Sequence, residues 1–197
     1  MNLELRLEKQ GDRRTVEELT RAAFWKEENI ERSGIGCDEH YLVHTLRDSA
    51  DFLPELDFVA VAEGEIVGNI MYSRAFVERH DGGIHRVLIF GPLSVAPKHQ
   101  NKGIGGALLR HSLKKAARLG HGSVIIFGHP GYYPRFGFKE AGAFGITTSE
   151  GKNFPAFMAM ELMYGDLDGV GGRFHASPCF MIDRGKAKAF EAAFAAA

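Results

Sequence analysis

The stretch from Arg86 to Phe127 constrains the fold more than any other part of the chain. "RVLIFGPLSV" reads as a strand, Ala96-Pro97 as a turn, and the residues that follow as a helix. Ile104, Leu108, Leu109, Leu113 and Ala116 are spaced for a buried helical face, with Arg110, Lys114 and Arg118 spaced for solvent. "SVIIF" at 123–127 is short and apolar, the mark of a strand covered on both faces. A sheet with helices on both sides follows. One detail runs against helix propensity: the helix opens with Gly103, Gly105 and Gly106, although glycine costs about 1 kcal/mol relative to alanine inside a helix.

The flanking patterns extend this sheet. "LELRLE" alternates as a strand does, and Asp12 is placed to cap a helix carrying Val16, Leu19, Ala23 and Phe24. "WKEENIERSGIGCDE" reads as irregular, and a second helix as "EHYLVHTLRDS". "DFVAVAE" and "EIVGNIMYSRAFVER" form a strand pair turned at Glu63-Gly64, and "HDGG" turns into the strand that opens this section. Further strands are expected near Lys139–Ala141 and at "FMAMEL". The fold class is therefore α/β or α+β, a mixed sheet with helices on both faces. The domain is expected to span residues 1–164, with 165–197 as a C-terminal extension packed on it. In that extension Phe190 and Phe194, four apart, would dock a short helix from "KAKAFEAAFAAA".

Charge and cysteine usage exclude several function classes. With 24 basic residues against 25 acidic ones, the net charge of −1 offers no general attraction to nucleic acid or to an anionic membrane. Cys37 and Cys179 match no zinc or redox spacing and read as reduced thiols, with one disulfide between them as the alternative, and no metal site is expected. No apolar run reaches membrane-spanning length, and the N-terminus is unlike a signal peptide, so a cytoplasmic protein is expected. A homodimer is compatible with the sequence.

A physical reason exists for glycines at the start of a helix. The first amides of a helix have no intrahelical acceptor and sit at the positive end of its dipole. Side chains there would keep a bulky anion away, so a strand–turn–glycines–helix unit suits a phosphate or pyrophosphate. Close packing of helix on strand is the alternative use of the same glycines. A Walker loop is excluded because Gly105-Gly106-Ala107 stands where Gly-Lys-Ser/Thr would be needed. A dinucleotide fingerprint is excluded because Leu108 replaces its third glycine.

The spacing Gln100-x-x-Gly103-x-Gly105 after "PLSVAP" resembles the GNAT superfamily of acetyl-CoA-dependent N-acetyltransferases. "YYPRFGF" at 132–138 is similar to a later element of that superfamily, with Tyr133 four residues ahead of Gly137. The two motifs together, with Glu39, Leu42 and Leu46-Arg47, resemble a bacterial acetyltransferase subgroup across residues 3–164. The resemblance implies a mixed central sheet of about six to seven strands, splayed at a cofactor cleft. It implies acetyl-CoA as co-substrate, with Leu93, Ser94 and Val95 pairing their backbone with pantetheine as a sheet edge pairs an added strand. Pro92 suits such a break in the ladder. Backbone amides of Asn101, Lys102, Gly103, Ile104, Gly105 and Gly106 would hold the pyrophosphate and Gln100 would orient the loop, while Lys98 and Lys102 would either approach adenosine phosphates or serve as ordinary solvated charge.

By the same resemblance Tyr133 would protonate the departing CoA thiolate and the Val95 N–H would bind the oxyanion. A packed aromatic beside Tyr132, Phe136 and Phe138 is the alternative role for Tyr133. The strand positions where some of these enzymes carry a basic glutamate read Ile89, Phe90, Gly91 and Pro92. His129 has a suitable intrinsic pKa for the base, and equally suits a structural cap. Glu27, Glu28, Glu39 and His40 lie in the segment 25–40 expected to wall the acceptor. The expected function is transfer of acetyl from acetyl-CoA to a primary amine of a small molecule or peptide. A catalytically silent acyl-CoA-binding sensor or interaction module is the alternative.

Overall fold

The alternation of "LELRLE" becomes β1 (Leu3–Leu7), antiparallel to β2 (Phe58–Ala62). The computed structural model describes residues 2–195; Ala196 and Ala197 of the alanine-rich tail lie outside the described residues. Between β1 and β2 lie α1 (Arg13–Phe24), α2 (Glu27–Ser33) and α3 (Glu39–Leu46). Then come β3 (Glu65–Arg79), β4 (Ile84–Val95), α4 (Ile104–Arg118) and β5 (Ser123–Phe127). The short strands β6 (Lys139–Glu140) and β7 (Ile146–Thr148) precede β8 (Phe157–Glu161), β9 (Gly172–His175) and α5 (Arg184–Ala195). The β2–β3 turn puts Glu63 at φ 54° and Gly64 at φ 85°, the pair of left-handed residues that a two-residue hairpin demands.

The described chain divides into two compact units. The first holds the residues up to Met71, Pro92–Leu109 and those from Pro178; the second holds Tyr72–Gly91 and Arg110–Ser177.

In the first unit, period-two alternation along β3 decides what packs where. Asn69 and Met71 face α1 and α3, where Val16, Val43, Leu46, Val59 and Met71 form one buried cluster. Gly68 faces the other way, and a Cβ there would press on the Ser94 carbonyl at 2.9 Å and on Leu108 Cδ1 at 3.0 Å. The glycine thus lets the start of α4 approach the strand. Helix α5 lies against α1 and α3: Glu191 receives the Arg21 guanidinium at 2.6 Å, and Phe190 and Phe194 pack on the buried His40 ring at 5.4 and 5.3 Å.

In the second unit, β5 pairs with β8 along its whole length, β8 with β6, and β9 with both β3 and β7. Parallel pairing of β4 with β5 is found at Leu88 and Val124. Tyr72 is wholly buried here, its hydroxyl 2.8 Å from Ser112 Oγ. The described residues 165–195 therefore supply a strand to the second unit and a helix to the first.

Two local readings are corrected. Asp12 stands at the N-cap position of α1 without capping it; its carboxylate accepts the Lys9 N–H at 2.7 Å and binds Arg6 instead. The segment read as irregular contains α2, which has no buried residue and so no apolar stripe for a sequence to display. Of the nine strands described, seven form the continuous path of the sheet, as expected, and the short β7 and β9 lie off it.

A buried charge cluster joins β1, α1 and α3. Arg47 donates to Glu8 Oε2 at 3.0 Å and to Glu17 Oε1 at 2.7 Å. Asp57 lies beside it, buried, with Oδ1 unpartnered among the described residues. Burial, and then the Glu8 carboxylate, push the Asp57 carboxyl up to about 8. The folded chain thus holds a proton that the unfolded chain has released, and stability falls as pH climbs from the ordinary carboxylate range towards 8. Asp57→Asn, which keeps the shape without the charge, is expected to flatten that slope. It should raise stability by about 1–3 kcal/mol at pH 8 and change it little at pH 4. Urea denaturation across that range reads it; an unchanged slope would place the proton elsewhere.

Candidate functional site

The glycine-bearing loop is built in the first unit. Strand β4 ends at Val95, and the Ala96 N–H donates to the Val67 carbonyl at 2.9 Å, closing the ladder with β3. One turn of 3₁₀ helix over Pro97–His99 leads to Asn101 at φ 60° and Gly103 at φ 84°. Gly103 is the residue before α4 rather than part of it, and its carbonyl accepts the Ala107 N–H at 3.0 Å. Its left-handed backbone explains the first of the three glycines, since L side chains are strained there. A Cβ on Gly103 would meet nothing within 4 Å, so that side of the loop is open. Gly105 and Gly106, half-buried and buried, are the second and third helical residues. With Ile104 they present three amides that have no intrahelical acceptor.

The polar side chains of the loop are engaged internally. Gln100 Nε2 donates to the Val95 carbonyl at 3.2 Å, tying loop to strand end. Lys102 Nζ donates to the Lys98 carbonyl at 2.9 Å, and Lys98 Nζ meets Glu65 Oε2 at 2.8 Å. An open cavity of about 440 Å³ beside them is lined by Glu63 and Glu65 as well as by Lys98, His99 and Lys102. Its charges largely cancel, which leaves the backbone amides as the candidate anion-binding feature. Leu93 and Val95 are half-buried, and Ser94 between them is buried with its hydroxyl turned to Thr20.

The segment 25–40 belongs to the same unit. The Trp25 ring fills the space that a side chain at Gly36 would need, and its Nε1–H donates to Glu27 Oε1 at 2.9 Å. Glu27 and Glu28 are exposed. Glu39 is half-buried, and burial raises its carboxyl above the ordinary value. His40, expected on the acceptor wall, is instead fully buried. Its Nε2 touches Glu191 Oε2 at 2.8 Å, off the line of a good hydrogen bond, and burial lowers its pKa. Cys37 and Cys179 are free thiols; burial pushes that of Cys37 up to about 12.

His129 and Tyr133 come together in the second unit, directly after β5. Tyr132 N–H donates to the His129 carbonyl at 2.9 Å, and Tyr133 starts a 3₁₀ turn that Gly137 closes at φ 102°. The Tyr133 ring packs against Phe90, Phe138 and Tyr132 at 5.8, 5.6 and 5.1 Å. Gly128 makes its slot, since any Cβ there would overlap the ring. Burial, and then Tyr132, raise the phenol to about 12, so it stays protonated across the neutral range. His129 is exposed, and its Nδ1 accepts the Gly131 N–H at 3.1 Å. The neutral ring therefore carries its proton on Nε2, and taking a second proton requires giving up the Gly131 bond. Sequence reasoning passed over Gly128 and the Thr20–Ser94 contact; a glycine ahead of an aromatic pair was the signal available for the first.

Comparison with known proteins gives a consistent picture. The model of the acetyltransferase (GNAT) domain family matches residues 55–140, which include both motifs. YjhQ of Escherichia coli strain K12, an uncharacterized N-acetyltransferase, is 36% identical over 99 residues. That match covers 50% of this chain and 54% of YjhQ, so this chain spans about half the length of that relative. Among solved structures, the GNAT family N-acetyltransferase YhbS from Escherichia coli in complex with CoA superposes with a TM-score of 0.79 at 24% identity, covering 92% and 93% of the two chains. A GNAT family acetyltransferase from Brucella melitensis in complex with acetyl-CoA gives 0.69 at 26% identity, covering 91% and 98%.

Proposed function

Since the chain belongs to the GNAT superfamily, we propose that it is an acyl-CoA-dependent acetyltransferase that moves acetyl from acetyl-CoA to a primary amine. The observation that carries this reading is the loop Gln100–Gly106, which leads through two left-handed residues, with open space beside Gly103, into the first amides of α4. Three such N–H groups and the helix dipole suit a pyrophosphate without help from a free lysine. The CoA and acetyl-CoA bound to YhbS and to the Brucella melitensis protein support the same ligand class.

In the proposed reaction the neutral amine attacks the thioester carbonyl directly. The C–N bond forms as the oxyanion develops, and the C–S bond breaks with the electron pair leaving on sulfur. The backbone of Leu93, Ser94 and Val95 would hold the pantetheine arm, with the Val95 N–H facing the oxyanion. Tyr133 would serve the departing thiolate. With its phenol near 12, full proton transfer to a thiolate of ordinary pKa near 8.5 is uphill, so the role assigned to it is hydrogen-bond donor.

Deprotonation of the amine is assigned to one of two groups. Glu39 has a carboxyl that burial raises above its ordinary value, and His129 has an imidazole whose Nδ1 is occupied. The rate profile against pH separates them. Glu39→Gln abolishes the acidic limb if the carboxylate is the base, and His129→Ala does so if the imidazole is. A limb that survives both variants assigns deprotonation to solvent. The activity itself is tested by following thiol release from acetyl-CoA across a panel of amines and short peptides, with CoA binding measured in parallel. Amine-dependent release is expected. CoA binding without release from any acceptor would favour the silent acyl-CoA-binding module.

A further inference from the structure

Three buried polar side chains connect the cofactor strand to the first helix. The Ser94 hydroxyl donates to Thr20 Oγ1 at 3.2 Å, and the Thr20 hydroxyl donates to Asn69 Oδ1 at 3.3 Å. All three residues are buried, and Asn69 Nδ2 has no hydrogen-bond partner among the described residues. Two properties of this chain decide its role. It ends in an amide, which takes up no proton at any working pH, so it is not a proton wire. It also leaves a buried donor unpaired, so three apolar side chains would stabilise this position at least as well. What the trio supplies is a directional link, with β4 and β3 held by one hydroxyl on α1.

Helix α1 carries that link to the segment 25–40. Arg21, next to Thr20, lays its guanidinium 4.0 Å over the Trp25 ring and is itself anchored by Glu191. The Trp25 N–H donates to the Arg21 carbonyl at 2.9 Å, the Lys26 N–H reaches the Gly36 carbonyl at 3.1 Å, and the Trp25 ring fills the place above Gly36. The contacts thus run from Ser94 through one hydroxyl to the last turn of α1 and on to Trp25. We propose that Thr20 is a positioning residue that couples occupancy of the acetyl-CoA seat at Ser94 to the conformation of the acceptor wall at Trp25. The proposal rests on the reading of residues 93–106 as that seat. Coupling of this kind is reciprocal: acetyl-CoA tightens the hold on the amine by the factor by which the amine tightens the hold on acetyl-CoA.

Trp25 is the one tryptophan in the chain, which gives the coupling its own signal. The full chain is titrated with CoA while tryptophan emission is recorded, beside calorimetry under the same conditions. The wild-type emission is expected to change along the calorimetric isotherm. Thr20→Val should keep CoA affinity within about five-fold, the lower edge of ordinary coupling factors, and lose most of the emission change. Thr20→Ser, which restores the hydroxyl, should restore the change. Thr20→Ala removes the same hydroxyl with a side chain that suits the helix, so it gives the same answer where Thr20→Val folds poorly. A full emission response in Thr20→Ala or Thr20→Val overturns the coupling, as does a silent wild-type Trp25 under calorimetrically proven binding. Calorimetry that detects no CoA binding by the wild type overturns the acetyl-CoA reading itself, and the coupling with it.

Discussion

Gly105→Glu leaves the protein folded and removes its affinity for CoA. Residue 105 is the second residue of α4, where a glutamate gains helix propensity over glycine and meets the positive end of the dipole. On those grounds the variant should unfold no more easily than the wild type, with stability unchanged or raised by about 0.5–1 kcal/mol. The same carboxylate would lie among the amides of Ile104, Gly105 and Gly106, competing for them and repelling a diphosphate. A loss of CoA affinity of about 100-fold or more is expected, equivalent to roughly 2.7 kcal/mol. Calorimetry with CoA and thermal denaturation of the free protein read the two effects separately. A glycine retained for packing predicts the reverse pattern, a less stable protein that still binds. Retained affinity at unchanged stability would take the loop out of the site.

Tyr133→Phe lowers kcat by about 10–100-fold and leaves KM for acetyl-CoA nearly unchanged. The range follows from the role assigned to the phenol: a hydrogen bond to a charged group is worth about 1.5–3 kcal/mol, and each 1.36 kcal/mol is a factor of ten. The ring contacts with Phe90, Phe138 and Tyr132 and the slot over Gly128 survive the substitution, so a fall in rate would not come from repacking. The pH dependence offers a second readout. Because burial holds the phenol near 12, its ionisation lies above the assay range, and the loss should be the same factor at pH 7 and at pH 9. A loss that shrinks as pH rises would mean that the phenol titrates lower and acts as a true acid. An unchanged rate would reduce Tyr133 to a packed aromatic.

The parts of the fold that were legible in the sequence are those whose signal is local. The buried face of α4 from Ile104 to Ala116, the apolar strand β5 and the Glu63-Gly64 hairpin each follow from periodicity or turn chemistry within about a dozen residues. Helix α2 was not legible because "EENIERS" has no apolar stripe, and β7 and β9 are too short to alternate convincingly. In the candidate site, the spacing of Gln100, Gly103 and Gly105 was readable because all three lie on one loop, the proposed anion seat. His40 was misplaced for the opposite reason. It lies in a polar segment, and only Glu191, Phe190 and Phe194, about 150 positions later, turn it into a core residue. The link Ser94–Thr20–Asn69 spans 74 and 49 positions, and no pattern in one sequence announces a hydroxyl pair at that range.

The clamp of α5 on α1 has a consequence for biosynthesis. Arg21 and Glu191 are 170 positions apart, so a chain emerging from the ribosome makes the helices that wall His40 long before it makes the helix that covers them. Closing so long a loop is entropically demanding and slows folding relative to local contacts. Until α5 emerges, the apolar face around His40 and Tyr41 has no cover, and nascent chains stalled in that interval would display it to chaperones and to one another. Expression of this protein is therefore expected to be more sensitive to translation speed and to fusions at the α5 end than its ordinary composition would suggest.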